Sequence, residues 1–237
     1  LGKALRRLGH RLTFFERDVP YYASRRDPEA MLGCELQLYA DWATVQTFAR
    51  HVLETADVAM VTSYCPDGPQ ASDLVLASSV PARIFYDMDA PVTLERLQAG
   101  ETVPYLPTHA PVSQCLTDFD QVLSFTGGQI LGELCSRLGA KSADVLYGCV
   151  DPDVHQPAMA SDSLRSELSY MGTYAADRAA AFAELFLGAA AALPEKKFLL
   201  VGSLYPSDVA LGANVAHLEH LAPEAHAALY GSSRATL

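Results

Sequence analysis

The sequence predicts an α/β protein of two units, each a doubly wound (Rossmann-like) parallel sheet, and three observations carry that prediction. Short apolar runs alternate with amphipathic stretches along most of the chain. The apolar runs are continuous and brief, as in strands covered on both faces of a parallel sheet. The alternation breaks once, between Tyr147 and Ser166, where turn formers and charge replace it. Strand and helix in alternation with short links mean parallel strands joined by right-handed crossovers.

The elements follow in order. Residues 1–8 read as a helix, with Leu1, Leu5 and Leu8 opposite Lys3, Arg6 and Arg7, and Gly9 as its C-terminal cap. No cap precedes this helix, so the chain reads as an internal piece of a longer protein. RLTFFE (11–16) is a strand, and 17–38 is left as a long loop. The clearest amphipathic helix runs from Tyr39 to Ala56, with Asp41 as N-cap and Trp42, Val45, Phe48, Ala49 and Val52 on one face. DVAMVTS (57–63) is a continuously apolar strand. A helix over 71–78 leads to the strand ARIFYD (82–87), and 88–118, like 17–38, is left as a long loop with room for short helices. The strand DQVLSF (120–125), Gly127-Gly128, a helix to Leu138 and a strand over 143–146 complete the first unit. The expected division is a first unit over 1–150, a hinging linker over 151–166 and a second unit from 167 to 237. The second unit reads as strand 167–171, helix 177–193, strand 197–201, strand 214–218, helix 223–230 and a further strand beginning at Ser233.

Composition narrows the function classes. The 237 residues carry a formal charge of −11, which disfavours nucleic acid and anionic membrane as partners, since their phosphates require an excess of Lys and Arg. The five cysteines, at 34, 65, 115, 135 and 149, form no C-x-x-C pair, so neither a disulfide framework nor a zinc knuckle is suggested and a reducing cytoplasmic setting fits. The longest apolar stretch, 179–193, is interrupted by Glu184 and Gly188 and reads as a buried helix rather than a membrane span. No signal peptide, Walker loop or G-x-S-x-G turn is visible.

Several strand ends hold candidate site residues. Gly172-Thr173-Tyr174, between an apolar strand and a helix whose first turn holds Asp177 and Arg178, is a turn of the kind that cradles phosphate; the plainer reading makes Asp177 an N-cap and leaves Arg178 in solvent. Gly202-Ser203 ends the strand KFLLV, where ligands bind in open α/β sheets, or is only a tight turn. Asp87-Met88-Asp89 matches a short D-x-D pattern, and in an extended chain both carboxylates face one way, as a divalent ion requires; a strand-end cap is the alternative. Glu16 is a site carboxylate or an ion-paired strand end. Cys65 has no neighbouring histidine in sequence and reads as an inert thiol. His217 and His220 point to opposite faces of a strand, which disfavours a shared metal.

LTFFERDVPYY (12–22), AMVTSYCPDG (59–68), FYDMDAPVTL (85–94), LSFTGG (123–128), YGCVDPDVHQP (147–157) and LSYMGTYAADR (168–178) together resemble the successive motif blocks of CgeB-like (spore maturation) glycosyltransferases, across nearly the whole chain. The resemblance implies a GT-B protein with two Rossmann-like domains facing a cleft, both incomplete here: a first strand lies before Leu1 and the rest of the second domain after Leu237. It implies transfer of a sugar from a nucleoside-diphosphate donor, without metal or resident cofactor, to an unknown acceptor that is a glycan, a protein or a small molecule. Gly172, Thr173, Tyr174, Arg178, Gly202 and Ser203 would then face the donor diphosphate, with His220 and Leu221 beside the base. Asp87, Asp89 and Glu16 would serve the acceptor, one of them as base. A nucleotide-sugar epimerase and a noncatalytic spore-coat or glycan-binding protein are the alternatives.

Overall fold

The computed structural model describes residues 2–20, 33–153 and 155–237. Leu1, Val154, the Tyr21-Tyr22 end of the first motif block and most of the loop expected over 17–38 lie outside the described residues. The chain divides into two compact units, Leu1–Cys149 and Val150–Leu237. The described strands fall in three parallel sheets.

In the first unit, α1 (Gly2–Arg7) leads to β1 (Thr13–Arg17), which pairs in parallel with β2 (Glu35–Tyr39) as a separate two-stranded sheet. Helix α2 (Trp42–Leu53) is shorter than the expected Tyr39–Ala56, with Tyr39 in β2, but Asp41 is its N-cap as expected, the carboxylate accepting the Ala43 N–H at 2.8 Å. Four parallel strands follow in spatial order β3 (Val58–Thr62), β4 (Ala82–Asp87), β5 (Gln121–Ser124) and β6 (Ala143–Val145). Their crossovers carry α3 (Gly68–Leu76), α4 (Ala90–Gln98) and α5 (Gln129–Leu138), the last closed by Gly139 in the left-handed conformation. Register places Val61, Phe85 and Val122 side by side on one face of this sheet, where they join Leu94, Phe119 and Leu134 in a single core. Each fully buried side chain of this size contributes about 1.5–3 kcal/mol.

The expectation that DVAMVTS is covered on both faces is wrong for β3. Its burial alternates, with Val58 54% and Met60 40% exposed. Among the described residues β3 pairs only with β4, so it is an edge strand, and the crossover helices pack on its other face. The segment 88–118, read as a long loop with room for short helices, contains α4, whose first turn takes Pro91 and whose buried side includes Ala90 and Leu94.

The second unit is wound in both directions about one strand. Its spatial order is β10 (Ser233–Thr236), β7 (Ser166–Met171), β8 (Phe198–Val201) and β9 (Val215–Leu218). The chain steps outward from β7 to β8 to β9, then returns through α8 (His226–Ser232) to lay β10 on the other side of β7. All four residues of β8 are buried, two to each layer. Phe198 and Leu200 meet Phe182, Phe186 and Ala190 on one side, while Leu199 and Val201 meet Leu164 and Leu229 on the other.

The helix expected over 177–193 is built in pieces. A 3-10 turn (Ala176–Arg178) leads to α6 (Ala179–Phe182), a π-helical turn (Ala183–Leu187) and α7 (Gly188–Ala192). Asp177 does not cap it: the cap position is Ala175, and the aspartate makes no capping hydrogen bond. Across the π-turn Phe182 and Phe186 stack with ring centroids 5.2 Å apart. No helix among the described residues is long and apolar enough to cross a membrane.

Candidate functional site

In open α/β sheets ligands collect outside the carboxyl ends of the strands, above all where the strand order reverses. Two such strand-end clusters are present, one in each unit.

In the first unit the cluster surrounds the ends of β3, β4 and β5. Tyr64, directly after β3, adopts a left-handed backbone with φ of 64°, an uncommon conformation for a bulky residue. Neighbouring bonds hold this turn: the Met88 N–H donates to Ser63 Oγ at 2.9 Å, and the Tyr64 hydroxyl donates to Asp89 Oδ2 at 3.0 Å. The Tyr64 ring lies 5.0 Å from that of Tyr105 and remains half exposed. Asp87 is wholly buried at the end of β4. Its Oδ1 accepts the Asp89 N–H at 2.9 Å, while Oδ2 is buried without a hydrogen-bond partner. Burial pushes the Asp87 carboxyl above the ordinary carboxylate range, opposed by the nearby Thr93 hydroxyl, the Asp89 N–H and the Ser63 hydroxyl.

The extended D-x-D geometry is not what forms. The strand ends at Asp87, and Asp89 occupies the N-cap position of α4. The Asp87 carboxylate accepts the backbone N–H of Asp89, and the two side chains do not present two parallel arms. Among the described residues no group of three or more His, Cys, Asp or Glu is arranged to hold a metal ion.

Glu16 lies in β1, in the two-stranded sheet rather than in the sheet whose β4 ends at Asp87. Its neighbour Arg17 reaches the loop after β3, donating to Asp67 Oδ1 at 3.3 Å, and the Tyr39 hydroxyl donates to Asp67 Oδ2 at 2.9 Å. Asp67 therefore ties together the carboxyl ends of β1, β2 and β3. Cys65 beside it is desolvated, which raises its thiol pKa and makes it a poor nucleophile.

In the second unit the cluster lies at β7, β8 and β9, with β7 the strand where the order reverses. Gly172, Thr173 and Tyr174 follow β7, and Gly202 and Ser203 follow β8. The two turns are laced together: the Gly172 N–H donates to Val201 O at 2.9 Å, the Tyr174 N–H to Ser203 O at 3.0 Å, and the Tyr205 hydroxyl to Gly172 O at 2.9 Å. Two of the three N–H groups expected to face an anion are thus already satisfied. Gly202 has φ of +150°, and a Cβ there would lie 2.0 Å from Gly172 O, so only glycine allows the turns to approach this closely. Leu204 follows in a left-handed conformation, φ 66°.

Arg178 is exposed, makes no ion pair among the described residues, and directs Nη2 to Thr173 O at 3.4 Å, placing its guanidinium over the turn. His217 Nε2 lies 2.8 Å from Gly202 O, and its ring packs edge-on against Tyr205 at 5.5 Å. Burial pushes the Tyr205 hydroxyl up to about 12, with Arg178 acting in the opposite direction. His220 is exposed beyond the end of β9, whereas Leu221 packs against the core of Leu199, Val201 and Leu229.

No protein-family model matches the chain, and no curated protein matches it either. Among solved structures it is similar to the glycotransferase of kitacinnamycin. That likeness has a TM-score of 0.48 and 16% sequence identity, over 91% of this chain and 65% of the other.

Three residues of these clusters carry more of the geometry than their sequence context suggests. Asp67 sits near the end of the AMVTSYCPDG block (59–68), in the loop after β3. Tyr205 follows the Gly202 turn and closes it from outside, and the His217 ring reaches the Gly202 carbonyl. Their roles depend on which strands become neighbours; the single legible signal was that each lies at or just beyond the carboxyl end of a strand.

Proposed function

We propose that this chain is part of a metal-independent glycosyltransferase of the GT-B type, similar to the CgeB-like family, that uses a nucleoside-diphosphate sugar. The observation that carries the reading is the second unit's strand-end cluster. A two-turn glycine site lies at the strand where sheet order reverses, with Arg178, free of any carboxylate among the described residues, over it.

In this reading the second unit holds the donor. Its diphosphate meets the Arg178 guanidinium, which offers fork geometry and a permanent charge, and the Thr173 N–H that remains after the Gly172 and Tyr174 N–H groups are used. As the bond from sugar to phosphate breaks, negative charge grows on the departing diphosphate, and a prepositioned cation lowers the barrier to that step. Ser203 and the exposed His220 bound the rest of the donor site.

The acceptor falls to the first unit. Asp89, partly exposed and bonded to the Tyr64 hydroxyl, contacts the acceptor, while the buried Asp87 positions it by holding the Asp89 N–H. Glu16 is a further acceptor-side carboxylate.

The test is release of nucleoside diphosphate from a panel of nucleoside-diphosphate sugars by the full-length protein, with and without chelator. Release that survives chelation supports the reading. A protein that binds the sugars and leaves them intact, or one that only interconverts them, contradicts it.

A further inference from the structure

A second charged feature lies at the opposite end of the same sheet. The second unit contains five Lys and Arg residues against ten Asp and Glu. Four of those five cations, Arg165, Lys196, Lys197 and Arg234, line one open cavity of about 450 Å³ at the amino ends of β7, β8 and β10. Pairing explains the convergence. Ser166 is in register with Ser233, and the Glu167 N–H donates to Lys197 O at 2.7 Å, so the residues that enter the three strands come together. In a protein of net charge −11 such segregation of positive charge runs against the average field.

The cations are only loosely neutralised. The Glu167 carboxylate lies 3.8 Å from Lys196 Nζ and 3.5 Å from Arg234 Nη1, both long for ion pairs, and Arg165 pairs with the almost fully exposed Asp162. Lys197 makes no ion pair among the described residues. Glu195 is the other carboxylate on the wall, which leaves the lining with a positive excess. The hydroxyls of Ser232 and Ser233 are committed to the carbonyls of Ala228 and Leu229, so recognition rests on the cations.

We propose that this groove is a second anion site, which takes a small molecule bearing a phosphoryl group. Two guanidinium forks and two ammonium groups around a cavity of ligand size suit a compact dianion, which competes with Glu167 for Lys196 and Arg234. Six strand residues separate this groove from the Gly172 turn, about 20 Å along β7. The proposal is independent of what binds at that turn.

The experiment is titration of the 237-residue chain with inorganic phosphate, followed by amide NMR. Saturable shifts are expected at residues 195–197 and 231–234. The double variant Lys197→Gln, Arg234→Gln should weaken that binding by about tenfold or more, as loss of charge-assisted bonds predicts, while Arg178→Gln leaves it unchanged. Both groove substitutions are at exposed positions, and an unchanged circular dichroism spectrum verifies folding; Lys197→Gln alone serves if the pair does not fold. Absence of shifts at these amides up to millimolar phosphate overturns the proposal. So does binding that survives the double variant and is lost in Arg178→Gln.

Discussion

Replacing Gly202 by alanine tests how the second unit's strand-end cluster is built. The new Cβ would lie 2.0 Å from Gly172 O and 2.6 Å from Gly172 C, against an ordinary contact near 3.4 Å, so the Gly172 carbonyl must retreat by more than 1 Å. That movement breaks the 2.9 Å bond from the Tyr205 hydroxyl, worth about 0.5–1.5 kcal/mol. Holding alanine at φ +150°, a region left to glycine, costs about 1–2 kcal/mol more. The expected loss is therefore about 1.5–3.5 kcal/mol, read by urea denaturation followed by circular dichroism. Gly100→Ala is the control: it has φ of +77° with nothing within 4 Å of the new Cβ, and should show only the conformational cost, about 1–2 kcal/mol. Equal losses in the two variants would refute the close approach of the Gly172 and Gly202 turns.

Other outcomes follow from particular residues. The folded Asp87 carboxyl holds its proton more tightly than the unfolded one, so its contribution to stability is largest at low pH and falls as pH rises above about 4, the unfolded value. Asp87→Asn keeps an oxygen for the Asp89 N–H and removes the charge; its urea midpoint should vary less between about pH 4 and 7 than that of the parent, and an unchanged profile would contradict the burial argument. Phe186 is fully buried, stacked on Phe182 and edge-on to Phe198 at 5.8 Å. Phe186→Ala should cost about 3–5 kcal/mol in the same denaturation assay, and a loss under 1 kcal/mol would place the ring outside the core.

Much of the fold is legible because parallel sheets have a strong sequence signature. FLLV carries no polar residue and forms a strand covered on both faces, and Gly139 ends α5 as a helix-stopping glycine should. The elements missed had weaker but readable signals. Glu35–Tyr39 alternates Leu36 and Leu38 with Gln37, and α4 spaces Ala90, Leu94 and Leu97 at helical intervals behind Pro91. The exposure of Val58 and Met60 was not legible, since it depends on which strand ends at the edge of the sheet. In the clusters, residue types at strand ends could be read, but bonds between segments could not. Nothing local to Asp67 announces Arg17 and Tyr39, 50 and 28 residues away, and nothing local to Gly172 announces Tyr205. The parallel arms that a D-x-D pattern would need are not formed by Asp87 and Asp89, because the chain leaves the extended conformation between them to begin α4.

The central claim is that the strand-end cluster of the second unit binds a nucleoside diphosphate through Arg178, and calorimetric titration of nucleoside diphosphates into the full-length protein and its Arg178→Ala variant tests it most directly. Loss of a charge-assisted bond of about 1.5–3 kcal/mol should weaken affinity by roughly 10- to 100-fold. Arg178→Lys should recover only part, because an ammonium keeps the charge and loses the fork. The thermal midpoint should hardly move, since the side chain is exposed and its single bond, to Thr173 O, is long at 3.4 Å. Equal affinity in parent and variant, or no measurable binding to the parent, would contradict the account.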